Sequence, residues 1–225
     1  MWQQHLRGVL FLHWPVSSDI IRPHLPACLE VDEYDKQAWI SLVLLQMQAG
    51  ATFSPWPRLR FAQVNLRTYV RCGALRGIWF FSVHAHHHWA AQVARWFTPI
   101  PYASATVHYQ LRGSAGLAYA RCRKACFLEF HIRFSWSEQP MHQGSLGSWL
   151  LERYHLLARD RQGTLLAGNF EHAPWTTFPV WVESYQLRAA PFADPVFASA
   201  PLAHFSPGLA GRFGAFVRMG TTTRC

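Results

Sequence analysis

The sequence predicts a mainly β domain of the α+β kind, an antiparallel barrel-like sheet with a few short helices. Three observations lead there. Nine runs of strand length carry β-forming residues, several with clean alternation of apolar and polar side chains. Turn-forming clusters such as Asp35-Lys36-Gln37, Gly73 to Gly77, Gly113 to Gly116 and Asp160-Arg161-Gln162-Gly163 join neighbouring runs as a meander requires. Helical periodicity is confined to three short pieces. About nine strands leave exposed edges unless the sheet closes on itself, which favours a barrel.

In chain order, strands are expected at 9–14, 29–34, 38–47, 63–72, 78–84, 104–112, 127–136, 153–159 and 164–172. The first is an apolar run ending in His13-Trp14, and the short helix 18–22 after it is stopped by Pro23. The strand 63–72 puts Val64, Leu66, Thr68 and Val70 on one face and Gln63, Asn65, Arg67, Tyr69 and Arg71 on the other. A helix at 87–97 ends at Pro99. The clearest alternation is in 127–136, where Leu128, Phe130, Ile132, Phe134 and Trp136 oppose Glu129, His131, Arg133 and Ser135, the mark of a half-buried antiparallel strand. A last helix is expected at 145–151. No repeat or linker divides the chain, and the Pro-rich gap at 54–60 comes too early to separate two units, so residues 1–225 are read as one domain.

Half of the 225 residues are apolar and 15% are charged, which excludes disorder and allows roughly 70% of the unfolded surface to be buried without staples. The five cysteines are odd in number and form no CxxC pair, so reduced buried thiols are expected. The first residues do not read as a signal peptide, and the longest apolar run, 39–45, is broken at Ser41 and is far short of a spanning helix. These features point to a cytoplasmic protein without membrane contact. The net charge of +9 is uneven: between Lys36 and Leu128 lie nine Arg and two Lys and no acid. Such a stretch suits nucleic acid, a membrane surface or an anionic ligand.

Lysine is scarce. Only Lys36 and Lys124 could form an imine, because arginine does not deprotonate. If the polar face of 63–72 looks into a barrel lumen, Asn65, Arg67 and Tyr69 form an anion-binding ladder, the planar guanidinium suiting a carboxylate. His84-Ala85-His86-His87-His88 invites metal, yet no HExxH and no second Cys/His set completes four ligands, so no metal and no cofactor is expected. Glu152 beside Arg153 either closes a turn as an ion pair, positions an arginine or acts as a general acid/base. Glu171, His172 and Trp175 end the last strand, where bulky and titratable groups mark a pocket mouth. Arginine–aromatic interleaving from Trp56 to Tyr119 keeps a nucleic-acid or polyanion-binding module as the alternative, although no RNP motif, GxxG clamp or C₂H₂ spacing is present.

Several motifs occur together in an order that resembles one family. His13-Trp14-Pro15-Val16 is followed by Arg22-Pro23-His24-Leu25-Pro26, Asn65-Leu66-Arg67-Thr68-Tyr69-Val70-Arg71 and Gly77-Ile78-Trp79-Phe80-Phe81-Ser82. Leu151-Glu152-Arg153-Tyr154, His172-Ala173-Pro174-Trp175 and His204-Phe205-Ser206-Pro207-Gly208 come after them. On these residues the chain is similar to the YqjF-like proteins of unknown function, within the acetoacetate decarboxylase-like superfamily. The resemblance implies an antiparallel barrel-like fold with an internal cavity. It does not carry the reaction, because the decarboxylase's Lys-Lys pair is missing from the corner Pro99-Ile100-Pro101-Tyr102-Ala103-Ser104, and Gln63 stands where the family tends to have an acid.

The sequence therefore points to a domain that binds a small carboxylate or keto compound in its cavity. Asn65, Arg67 and Tyr69 are the expected floor, with Tyr102, Tyr154 and Trp175 around it. If the protein is an enzyme, Glu152 or His172 carries the proton in a non-imine lyase or isomerase role. With 16 Phe, 11 Trp and 7 Tyr, exposed aromatics and a homodimer are expected.

Overall fold

A computed structural model describes residues 2–49, 59–122 and 127–219, and strands dominate it. In chain order the elements are β1 (Trp2–Val16), α1 (Ser18–Ile21), β2 (Glu30–Val31), β3 (Ala38–Ala49), β4 (Leu59–Cys72), β5 (Leu75–Ala85), α2 (His88–Phe97), β6 (Tyr102–Ser104), β7 (Thr106–Arg112), β8 (Ala115–Cys122), β9 (Leu128–Trp136), α3 (Ser145–Leu151), β10 (His155–Arg159), β11 (Leu165–His172), β12 (Phe178–Ala189), β13 (Leu202–Phe213) and β14 (Val217–Arg218). The mainly β, barrel-like expectation holds. Strands β1, β3, β4, β5, β10, β11 and β13 pair in that order, and β13 returns to β1, which closes a ring. From β13 a second leaf continues through β12, β9, β8 and β7.

The meander expectation is right only locally. Adjacent strands pair in β3–β4–β5, β7–β8–β9 and β10–β11, but β1 lies between β3 and β13, and β5 pairs in parallel with both β6 and β10. The expected strand at 29–34 shrinks to β2, and the one at 104–112 divides at Ala105. Strands β8, β12 and β13 were not anticipated. Strand β13 hides because Pro207, Gly208 and Gly211 read as turn residues. Gly208 lies opposite Arg7, at φ +118°, where a Cβ would collide with the Leu6 carbonyl. The facing strand bulges between Arg7 and Leu10, with Gly8 at φ +53°.

Two cores result from this layout. One fills the space between the ring and the second leaf and takes Leu10, Leu12 and Trp14 of β1, Ile40, Leu42 and Leu44 of β3, and the expected Leu128–Phe134 face of β9. The other lies inside the ring, where Phe11, Val43, Tyr69 and Leu156 meet Leu150 and Leu151 of α3. Strands β1, β3 and β4 are thus covered on both faces, so their inward residues are shielded from bulk solvent. No helix among the described residues is long and apolar enough to cross a membrane.

Cys72 and Cys122 are free, as expected, but Cys28 is disulfide-bonded. Spacing along the chain carries no information about which thiols meet in space, which is why this bond was missed. Most described arginines of the acid-free stretch are exposed, and three reach acids outside it: Arg71 to Glu30, Arg76 to Asp32 and Arg121 to Glu129. Arg58, Arg123 and Lys124 lie outside the described residues.

Candidate functional site

Strand β4 is buried on both sides. Val64, Leu66 and Val70 join the outer core, while Gln63, Asn65, Arg67 and Tyr69, the polar face of the sequence reading, point the other way and are also buried. A solvated polar face is therefore excluded for these four residues. Burying polar groups costs free energy unless something pairs with them, so their partners matter.

Some partners are within the ring. The Tyr69 hydroxyl lies 2.8 Å from Ser41 Oγ, and Ser41 Oγ lies 2.7 Å from His13 Nδ1, with Tyr69 and His13 themselves 3.3 Å apart. The His204 ring meets His13 edge-on at 5.4 Å between centroids. The alternation that turns Val9 and Phe11 inwards on β1 also turns His13 inwards, and the β1–β13 register sets His204 opposite Phe11.

Other polar atoms find nothing. Arg67 is only 8% exposed and makes no ion pair among the described residues; its guanidinium carbon stands 5.8 Å from the Phe11 ring centre and 5.9 Å from that of Tyr69. Arg67 Nε and Nη2, Asn65 Oδ1, His13 Nε2 and His204 Nδ1 are all buried without a hydrogen-bond partner. Burial, reinforced by His204 and Arg67, holds His13 neutral to well below the usual imidazole range. Burial alone lowers His204 to about 4.

Of the residues expected around the floor, Tyr154 and Trp175 come together as a wall with His172 and Glu152, while Tyr102 sits on β6 against the inner core. Trp175 packs edge-on against Phe11 at 5.1 Å, His172 lies 5.4 Å from Trp175, and Tyr154 stacks on His172 at 4.6 Å. Glu152 ties them, accepting from the Tyr154 hydroxyl at 2.7 Å and from the Trp175 backbone N–H at 2.9 Å. Burial and the Glu152 bond push Tyr154 up to about 12, and burial pushes Tyr102, packed against the inner core, to about 12. Glu152 does not pair with Arg153. That arginine turns inwards, donates to Asp32 at 2.7 Å and to the Trp149 carbonyl, and covers the Trp149 ring at 4.1 Å and the Tyr69 ring at 5.0 Å. Sequence reading missed Asp32 as its partner because the two are far apart in the chain.

The histidine run does not form one cluster. His84 is buried with both ring nitrogens unpartnered, and burial lowers it to about 4; His86 Nδ1 accepts from the Val107 N–H at 3.2 Å, and His88 opens α2. No group of three or more His, Cys, Asp or Glu side chains suited to a metal gathers among the described residues. Two open clefts are lined by residues other than the buried polar cluster. One of about 430 Å³ includes His24, Trp79, Phe81 and Pro191, and one of about 980 Å³ includes Arg95, Trp96, Arg159, Arg161 and Phe216. Neither contains Arg67, His13 or His204. The open clefts and the buried polar cluster thus disagree about where a ligand goes, and uncompensated buried polar groups are the stronger indicator because an open cleft costs nothing to leave empty.

Residues 3–210 match the model of a family of uncharacterised conserved proteins, DUF2071. The chain belongs to that family. This DUF2071 protein is 35% identical over 178 residues to the uncharacterised protein YqjF of Bacillus subtilis, a match covering 77% of this chain and 73% of the relative. Among solved structures it resembles an acetoacetate decarboxylase-like enzyme from Sphingomonas wittichii, with a TM-score of 0.68 at 15% identity over 97% of this chain and 92% of that one. It also resembles the enduracididine biosynthesis enzyme MppR complexed with pyruvate (TM-score 0.64, 14% identity, 99% and 91% covered). Acetoacetate decarboxylase of Legionella pneumophila follows at TM-score 0.64 and 13% identity, with 96% and 87% covered. Both the YqjF-like resemblance and the acetoacetate decarboxylase-like fold read from the motifs are therefore correct.

Proposed function

We propose that this DUF2071 protein, as a single domain, binds a small, partly apolar carboxylate or keto compound inside its ring, with Arg67 as the anion clamp. The observation that carries the reading is the buried guanidinium with two unpartnered donors and no described carboxylate in reach. A buried charge without a counter-ion is costly, and a bound carboxylate removes that cost with two parallel hydrogen bonds. Asn65 and Tyr69 stand beside it on β4, the wall of Tyr154 and Trp175 supplies apolar surface, and Tyr102 adds a hydroxyl against the same inner core. That a protein of the same fold is described in complex with pyruvate supports the ligand class.

If the protein turns its ligand over, the chemistry is of the non-imine kind, a lyase or isomerase reaction. Lys36 is exposed at a turn with φ +64°, so it cannot reach the interior. The paired arginines on separate elements count against the nucleic-acid alternative. A cytoplasmic homodimer completes the reading, supported by α2, which turns Trp89, Val93 and Trp96 outwards, four and seven residues apart on one helical face.

The test is titration of pyruvate, 2-oxobutanoate and acetoacetate into the wild-type protein and an Arg67→Met variant, followed by calorimetry. Loss of a charge-assisted pair is worth about 1.5–3 kcal/mol, so binding is expected to weaken ~10- to 150-fold. Undiminished binding by the variant overturns the clamp.

A further inference from the structure

We propose that His13, paired with His204 and held by Ser41 and Tyr69, is the proton-transfer base of the ring interior, acting on a carbon next to the carbonyl of a bound keto acid. The inference rests on the anion-clamp reading of Arg67 and assigns the chemistry of that same interior.

Four observations support it. His13 and His204 are 0% and 3% exposed, and each keeps one ring nitrogen, Nε2 and Nδ1 respectively, without a partner. Buried imidazoles in a structural core are normally satisfied, so two unsatisfied ones side by side call for a function. His13 Nδ1 is fixed by Ser41, which is fixed in turn by Tyr69, the arrangement in which one ring nitrogen is oriented so that the other can react. The Tyr69 ring is braced by Arg153, 5.0 Å from its centre and itself anchored on Asp32. Finally, Arg67 lies close enough to His13 to disfavour its cationic form. A bound carboxylate offsets the Arg67 part of an effect led by burial and His204, so His13 becomes a better base when substrate is bound.

The step balances within the pair. Neutral His13 Nε2 takes the proton from the carbon; the C–H electron pair becomes the C=C bond of an enolate, and the carbonyl π pair moves onto oxygen, where Arg67 faces the charge. The imidazolium keeps its Nδ1 proton on Ser41 Oγ. Replacement of the Nε2 proton by a solvent deuteron, followed by its transfer to the same carbon, gives exchange, and delivery of the proton through His204 to the enolate oxygen gives the enol. No oxidant, metal or lysine is consumed.

The experiment is exchange of the C3 protons of pyruvate and 2-oxobutanoate for deuterium in D₂O, followed by proton NMR, with binding measured in parallel by calorimetry. Wild-type protein is expected to accelerate exchange over buffer. His13→Gln should lose at least 100-fold of that acceleration while its Kd changes less than threefold, and His204→Gln should lose about tenfold. Ser41→Ala, which removes the orienting bond but leaves the imidazole, should fall between them. Wild-type protein that binds the keto acids but exchanges at the buffer rate overturns the inference and leaves the clamp standing. Wild-type protein that binds neither keto acid overturns both. Should a variant fail to fold by circular dichroism, His13→Asn, smaller and still polar, takes its place with the same expectations.

Discussion

Replacing Arg67 by methionine should make the protein more stable while weakening its ligand binding. Each buried donor left without an acceptor costs ~1–3 kcal/mol, so Nε and Nη2 together burden the folded state by ~2–6 kcal/mol. Against this stand the ring contacts with Phe11 and Tyr69, at 5.8 and 5.9 Å, which a methionine gives up and which are worth about 1 kcal/mol each. Methionine is similar in length, unbranched and adaptable, so it fills the space without a large cavity. The net expectation is a gain of about 2 kcal/mol. Urea unfolding followed by tryptophan fluorescence measures it as a higher midpoint at unchanged slope. A loss of 2 kcal/mol or more would show that the guanidinium is an ordinary bonded core group, and the reasoning from its uncompensated burial would then be wrong.

Acid should destabilise the fold through its buried histidines. His84 and His204 sit near 4 in the folded protein against an ordinary 6.5, so their stabilisation is complete above pH 6.5 and lost as the pH falls towards 4. Each contributes ~3 kcal/mol of loss, at about 1.4 kcal/mol per pH unit, and His84→Phe should flatten the urea-midpoint profile between pH 6.5 and 4.5; an unchanged profile contradicts burial of a neutral His84. Gly208→Ala should cost more than ~2 kcal/mol by the same assay, since the new Cβ meets the Leu6 carbonyl at a positive φ; a neutral effect would mean that the β1–β13 register is looser than described. Glu152→Gln should weaken keto-acid binding less than threefold, because Glu152 holds Tyr154 and Trp175 rather than the anion; a loss as large as that of Arg67→Met would move the clamp to the wall. Trp89→Glu should shift a homodimer to monomer in sedimentation velocity, and identical sedimentation would remove α2 from the interface.

How far the sequence revealed this depends on the element. Strands β4 and β9 were legible because their side chains alternate, and the direction of Arg67 follows from the same period of two. Strand β4 could be read as having a polar face, but not as having that face buried, because the closing contact is β11 with β13, and β13 is disguised by Pro207, Gly208 and Gly211. His13 and His204 stood within motifs that resemble the family, yet nothing local says that two strands far apart in the chain face them across a ring. A signal was present all the same: His13 interrupts an apolar strand at an inward position, and Ser41 does so on its neighbour. The Glu152–Arg153 neighbourhood misled for the converse reason, since the chain turns as it leaves α3, with the Arg153 N–H bonded to the Leu151 carbonyl, and Arg153 finds Asp32 instead.

The central claim is that the ring interior is an anion receptor built on Arg67. A crystal structure of the protein grown with 2-oxobutanoate tests it most directly. The expected result is the carboxylate within 3.2 Å, about the limit of a hydrogen bond, of Arg67 Nε and Nη2, with the keto-acid carbon skeleton turned towards His13. Density for the ligand only in the outer clefts beside Trp79 or Trp96, with the Arg67 donors still unpaired, would contradict it.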